Sequence, residues 1–258
     1  MDLSLAGKIA LVAGSSRGIG LAIARAFLEE GARTVVTGRD PASLVEASSA
    51  LGAEFGQQFV LPYRGDLCRE ADIDSLIEAV LGRWGRIDCL VANVGSGKGT
   101  AGWRIQGYEW TELVEQNLLG AARLVARALP AMVGQGSGSI VLIASITGIE
   151  GTSAPLPYGA AKAALINYGK NLARLVGASN IRVNCVAPGN VLFPGGSWER
   201  HLRERPEEVQ GQIRAEVPLR RFGTPDEIAD LVVFLASERA AFITGSCVVA
   251  DGGQSRSV

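Results

Sequence analysis

The chain is poor in the residues from which most active sites are built. Of its 258 residues one is a histidine, two are methionines and four are cysteines. A triad that depends on histidine, or a histidine-rich metal site, therefore has almost no material, and no metal is expected. The one histidine, His201, stands in ERHLRER, which reads as a solvated helix. Cys68, Cys89, Cys185 and Cys247 lie far apart without CxxC spacing, mostly in apolar runs such as CLVA and NCVA. They read as reduced packing residues. Charge of either sign is not in excess: the formal net charge is -1 and the pI is near 6.0. Without a basic surplus, binding to a nucleic-acid backbone is not expected. The early apolar run Ile9 to Gly14 is too short, and too close to Gly and Ser, for a leader or a membrane span. The expectation is a soluble, cytoplasmic protein with no membrane contact.

What is present is apolar sequence in short pieces, 47% of residues in all. KIALVA, RTVVTG, QFVLP, IDCLVA, SIVLIA, IRVNCVA and SCVVA each fit a buried strand, and stretches of helical length such as GLAIARAFLEEG and DIDSLIEAVLGRWG separate most of them. Continuously apolar strands alternating with helices imply a parallel sheet covered on both faces. The expected fold is a doubly wound α/β (Rossmann) domain of about seven strands, spanning residues 1–258 without a linker or repeat. Residues 191–217 break the rhythm with Pro194, Gly195, Gly196, Pro206 and a charged helical pattern. Lying after a strand's carboxyl end, they are expected to form a lid or pocket wall, or else a plain pair of surface helices.

The first strand runs into AGSSRGIG, with Gly14, Gly18 and Gly20 leading into a helix. Glycines there let a turn tighten and let backbone amides approach a pyrophosphate, whose charge the helix N-terminus favours. The spacing, Gly-x3-Gly-x-Gly, differs from the general dinucleotide fingerprint. The second strand ends in VTGRD, where an NAD site would carry a carboxylate for the ribose; Gly38 occupies that place and Arg39 follows it. Arg17 and Arg39 could converge on a 2′-phosphate, which favours NADP and leaves NAD possible; Asp40 could instead neutralise Arg39.

In YGAAK, Tyr158 and Lys162 stand four apart with only small residues between them. On a helix they share one face. A cation beside a phenol lowers its pKa and makes it a proton donor or acceptor near neutrality, although Tyr and Lys at this spacing also occur on ordinary surfaces.

With the glycine turn and YGAAK together, the sequence resembles the short-chain dehydrogenase/reductase family over essentially its whole length. The motifs follow in family order: AGSSRGIG, the GDL of Gly65 to Leu67, ANVG from Ala92 to Gly95, Asn117 in EQNLLG, Ser145 in IASITG, YGAAK, and APG from Ala187 to Gly189, with a late TG and DGG. The resemblance implies that Tyr158 exchanges a proton with the substrate oxygen and that Ser145 hydrogen-bonds it. Lys162 lowers the phenol's pKa and holds the nicotinamide ribose, and Asn117 supports a water-linked proton path. It further implies coenzyme contacts from Gly14, Ser16, Arg17, Gly18, Ile19, Gly20, Arg39, Asp66, Leu67, Asn93, Gly95, Tyr158, Lys162, Pro188, Gly189 and Val191. A homo-oligomer, expected to be a tetramer, would pair the long helices at Thr111 to Met132 and Tyr158 to Gly177.

Three positions depart from the family pattern: Ala13 and Ala92 replace Thr and Asn, and Phe193 stands where a Thr often contacts the carboxamide. The first two would loosen a hydrogen bond beside the coenzyme strands. The expected function is hydride transfer between NADP(H) and a ketone or secondary alcohol; the alternative is a non-catalytic nucleotide-binding protein that kept the fold. Ile146, Leu156, Val191, Phe193 and Trp198 are candidate pocket walls and suggest a modestly hydrophobic carbonyl compound, unless they are lid packing. The stretch VGQGSG after the helix ending near Met132 lacks the basic residues that would grip an acidic acyl carrier.

Overall fold

The β-branched runs fold into seven parallel strands: β1 (Ile9–Ala13), β2 (Arg33–Gly38), β3 (Val60–Arg64), β4 (Cys89–Ala92), β5 (Gly138–Ile143), β6 (Ile181–Pro188) and β7 (Cys247–Ala250). The computed structural model describes residues 2–257. The strand order is β3-β2-β1-β4-β5-β6-β7. Every residue of β1 and β4 is buried, as central strands with helices on both faces require. Their register aligns Ala10 with Cys89 and Ala13 with Ala92, so both strands end level.

The helices are α1 (Gly18–Glu29), α2 (Pro41–Phe55), α3 (Glu70–Trp84), α4 (Gly107–Val114), α5 (Gly120–Gln135), α6 (Leu156–Val176), α7 (Ser197–Glu204), α8 (Pro206–Glu216) and α9 (Pro225–Ala236). On one face α1, α2 and α9 bury Ile23, Phe27, Leu51, Ile228 and Val232. On the other, α3, α5 and α6 bury Ile73, Leu76, Leu124, Met132 and Leu165. Each such side chain contributes about 1.5–3 kcal/mol, so the two helical layers hold the sheet between them.

The chain leaves β1 towards β2 on one side and reaches β4 on the other. The loops after β1 and β4 therefore diverge, and the crevice between them is where doubly wound sheets take their ligands. The single long helix expected from Thr111 to Met132 is instead α4 and α5 joined by a π-helical turn, Glu115–Leu119. Residues 191–217 contain α7 and α8, anchored beneath by buried Val209, Ile213 and Val217. The segment's first residue, Val191, bridges to Gly223, whose carbonyl accepts from the Leu192 N–H at 3.0 Å.

Candidate active site

The turn after β1 is shaped by its glycines. Gly18 has φ +56°, a conformation that a side chain would strain. A Cβ on Gly20 would run into the Gly14 carbonyl and come within 2.6 Å of Asn93 Nδ2. Asn93, just past β4, donates from that same nitrogen to Gly14 O at 3.0 Å and so ties the two sides of the crevice together. Ala13 and Ala92 are both buried, and the turns that follow them are tied by other polar groups. The Gly14 N–H donates to Thr37 Oγ1 at 2.9 Å, the Thr37 N–H donates to Ser15 Oγ at 2.9 Å, and Ser15 Oγ donates to Val12 O at 2.6 Å. Thr37 and Ser15 were not expected in this role; a polar residue at the end of an otherwise apolar strand was the available signal.

At the end of β2, Gly38 is buried, whereas Arg39 is exposed beside the turn. Asp40 does not neutralise it: its carboxylate caps α2, accepting from the Ser43 N–H and hydroxyl at 2.8 and 2.6 Å. These bonds hold its pKa below the usual carboxylate range. Arg17 is exposed and donates to Gly195 O at 3.3 Å, and a Cβ on Gly18 would lie 2.6 Å from the Phe193 ring. The start of the 191–217 segment thus rests on the glycine turn. Asp66 and Leu67 follow β3, where the Asp66 side chain accepts from the Cys68 N–H at 3.1 Å.

Across the crevice the sequence-predicted groups converge. Lys162, 4% exposed within α6, donates from Nζ to Ile143 O at 2.7 Å and lies 5.8 Å from the Tyr158 ring. A Cβ on Gly95 would stand 2.5 Å from Asn117 Oδ1 and 3.4 Å from Lys162 Nζ. Asn117 is fully buried in the π-helical turn, a feature frequent at functional sites. Its side chain donates to Leu113 O and Ser96 O at 2.9 and 3.0 Å and accepts from the Ser96 N–H at 3.1 Å. Ser145 caps a short turn after β5, with its hydroxyl beside Tyr158. Pro188, Gly189 and Val191 line the exit of β6, where Gly189 N–H donates to Ala250 O at 3.0 Å.

The electrostatics differ from the simple pairing of Tyr and Lys. Burial raises the Tyr158 pKa, and the hydroxyls of Ser145 and Thr147 oppose the rise. Burial also pulls the Lys162 ammonium down to about 8, because no carboxylate stands against it. In this state the phenol takes its help from two hydroxyls rather than from the cation. Thr147 was missed from the sequence, although IASITG places it two residues past Ser145.

Of the candidate wall residues, Ile146 and Val191 are buried, Leu156 is half exposed, and Trp198 packs edge-on to His201 and tilted against Phe222, with ring centroids 5.5 and 5.4 Å away. Trp198 therefore packs on α7 and on the stretch that follows residue 217. The four cysteines are free, and among the described residues no cluster of His, Cys, Asp and Glu could hold a metal and no helix is long and apolar enough to cross a membrane.

The family model described as Enoyl-(Acyl carrier protein) reductase matches residues 13–255. The chain is 37% identical over 251 residues to 3-oxoacyl-[acyl-carrier-protein] reductase FabG of Salmonella typhimurium, covering 97% of this chain and 98% of that one. It is 34% identical over 255 residues to the FabG of Thermotoga maritima, covering 97% and 99%. Among solved structures, L-sorbose reductase from Gluconobacter frateurii, complexed with NADPH and L-sorbose, superposes with a TM-score of 0.92 at 34% identity over 100% of both chains. With its motifs in order and a match over nearly its full length, the chain belongs to the short-chain dehydrogenase/reductase family of oxidoreductases.

Proposed function

We propose that the chain transfers hydride between NADP(H) and a ketone or secondary alcohol. The observation that carries this reading is the meeting of Asn117, Ser145, Tyr158 and Lys162 across one crevice from the glycine turn. A non-catalytic nucleotide-binding protein would have no use for that set.

The residues present fit the coenzyme. The space a Cβ would fill at Gly18 and Gly20 is kept free, backbone N–H groups at the start of α1 face a helix N-terminus suited to a diphosphate, and Arg17 and Arg39 supply exposed cations near the end of β2. Gly38 brings no carboxylate to repel a 2′-phosphate. NADPH binding by relatives such as the L-sorbose reductase supports the same choice. Gly14, Ser16, Ile19, Asp66, Leu67, Asn93, Gly95, Pro188, Gly189 and Val191 complete the binding surface.

When bound, the coenzyme supplies hydride from nicotinamide C4 to the carbonyl carbon. The protein's part is to hold the carbonyl oxygen and to give it a proton as negative charge develops there. Ser145 donates a hydrogen bond to that oxygen, and the Tyr158 hydroxyl transfers its proton to it, leaving a phenolate and an alcohol. Lys162, next to the vacated charge, stabilises the phenolate. Asn117, fixed by Ser96 and Leu113, holds the water route by which Tyr158 is reprotonated. Oxidation of the alcohol runs through the same groups in reverse.

The 191–217 segment acts as a lid; its contacts through Phe193 and Gly195 on the glycine turn support this. Free cysteines, two of them buried, suit a reducing, cytoplasmic setting. An acyl-carrier substrate is less well supported than a free carbonyl compound: Arg123 and Arg127 on α5 are occupied by Glu70, Asp74 and Glu115.

The test is Tyr158→Phe. Turnover with NADPH should fall by about 100- to 10,000-fold while coenzyme affinity stays near wild type, since only the titrating hydroxyl is lost. A variant that keeps more than about a third of wild-type turnover, with chemistry limiting the rate, refutes the assignment.

A further inference from the structure

From Asp251 the chain leaves β7 and turns back across the carboxyl ends of β6 and β5, the next two strands of the sheet. Its sequence suits that reversal. Gly252 and Gly253 have φ +67° and +85°, which other residues rarely adopt. The Asp251 carboxylate accepts from the Gly253 and Ser255 N–H groups at 2.8 and 2.6 Å. Asp251 lies against Gly189 at the exit of β6, where an added Cβ would come within 2.6 Å of it. The Gly252 carbonyl accepts from the Leu219 N–H at 3.2 Å, just past the 191–217 segment. The tail then reaches the turn that follows β5. There Glu150 accepts from the Arg256 N–H at 2.9 Å and from the Ser257 hydroxyl at 3.0 Å.

Glu150 is joined to Ser145 by short local bonds. The Thr147 N–H donates to Ser145 Oγ at 3.2 Å, the Gly148 N–H to Ser145 O at 3.0 Å and the Glu150 N–H to Ile146 O at 3.1 Å. A shift of Glu150 therefore passes to Ser145 within one turn. On its inner side the turn rests on α6, where a Cβ on Gly148 would stand 2.6 Å from the Lys162 carbonyl carbon. On its outer side it has the tail. Among the described residues, the bonds from Arg256 and Ser257 to Glu150 are the only hydrogen bonds that reach residues 146–155 from outside residues 145–159. The Arg256 N–H, more than any other group, holds the Glu150 carboxyl below the usual carboxylate range.

We infer that the tail is a strap and Glu150 a positioning residue: together they fix the outer end of the turn, and so the place of the Ser145 hydroxyl beside Tyr158. The inference rests on the proposed function for its effect on rate. Glu150 acts through the turn and not on the substrate. Misplacing a reacting group by about an ångström can cost on the order of a hundredfold in rate. A loosened turn is therefore felt in kcat, whereas the glycine turn that takes the coenzyme diphosphate stands on a separate segment after β1.

The experiment compares wild type with Glu150→Ala, Glu150→Gln, Ser257→Ala and a chain lacking residues 255–258, using NADPH and a ketone that wild type reduces. Glu150→Ala and the shortened chain should each lower kcat by about ten- to a hundredfold, with NADPH affinity, read by fluorescence titration, near wild type. Ser257→Ala, which removes one donor and leaves the turn itself intact, should fall between them and wild type. Glu150→Gln keeps an acceptor oxygen for both donors and should keep most of kcat. Glu150→Ala in the shortened chain should be no slower than either change alone, because both remove the same contact. Wild-type kcat in the two strong variants, losses that multiply when they are combined, or a loss of NADPH affinity as large as the loss of kcat overturns the inference. Hydrogen exchange needs no turnover: the Gly148, Ile149 and Glu150 amides should exchange faster in the shortened chain, with those of α5 unchanged. Unaltered exchange there overturns the strap. Faster exchange in a protein whose wild type reduces no ketone upholds the strap while the proposed function fails.

Discussion

Lys162 carries a cost that its position makes measurable. Its pKa lies at about 8 in the folded protein against an ordinary value of 10.5, because the ammonium is buried. Between those pH values the unfolded chain holds a proton that the folded chain has lost, so raising the pH through this window stabilises the fold. The effect is roughly 3 kcal/mol at full extent. Cys89 and Cys185, whose thiols burial pushes up to about 12, act in the opposite sense at alkaline pH, so the comparison must be made against a variant. Denaturant titrations of coenzyme-free wild type and Lys162→Met at pH 7 to 10.5 should show wild type gaining on the variant as pH rises. Parallel curves would mean that the lysine is not desolvated. Arg39 invites a different measurement. Arg39→Ala should lower kcat/KM with NADPH by about ten- to a hundredfold, through loss of one or more charge-assisted bonds to the 2′-phosphate, and leave NADH nearly untouched. Equal losses would mean that Arg39 stacks on the adenine common to both coenzymes. Gly38→Asp should reverse the preference only when Ser16→Gly accompanies it, since a Cβ at position 38 would stand 2.9 Å from Ser16 Cβ.

At the scale of the element, α9 shows how a local motif anchors a layer. Thr224 accepts from the Glu227 N–H at 3.3 Å while the Glu227 carboxylate accepts from the Thr224 N–H at 2.9 Å, a reciprocal cap followed by Pro225 at the first helical position. Glu227 also pairs with Arg221, and that bond, first among several, holds its pKa at about 2. The pair is exposed, so screening leaves it little direct worth. The cap matters more: Thr224→Ala should cost about 1 kcal/mol, read as a lower urea midpoint with an unchanged slope. No loss of stability would show that the buried face of α9, with Ile228 and Val232, sets its position alone. The alkaline and acidic sides separate cleanly, because the lowered Glu227 pKa contributes stability only above it and loses that contribution as pH falls towards 2.

For the molecule as a whole, the surface is uneven. Phe242, just before β7, is completely exposed, and Leu175 at the end of α6 is 79% exposed, as are Trp103, Tyr108 and Leu219 for the most part. With β7 itself half exposed at the sheet edge, these residues favour the homotetramer that the long helices suggested. Light scattering at micromolar concentration should report four copies, and Leu175→Glu or Phe242→Glu should each shift the mass to a smaller species without unfolding the chain. A wild-type monomer would dispose of the idea.

The central strands β1 and β4 were legible because each is an unbroken apolar run, the mark that burial on both faces leaves on a sequence, whereas the edge strands β3 and β7 are only partly buried and carry it more weakly. Tyr158 and Lys162 were legible because a helix repeats within four residues. Local spacing, however, carries no dielectric. That burial would raise the phenol and depress the ammonium depended on β5, the Gly95 loop and α6 closing over them. The roles of Thr37 and Ser15 in the coenzyme turn came from the pairing of β1 with β2, which no short motif encodes. Ser145, Gly189 and Asp251 follow the ends of β5, β6 and β7, in segments more than a hundred residues apart at the extremes. Only the parallel order of β5, β6 and β7, bringing their carboxyl ends to one edge, placed those segments around a common site.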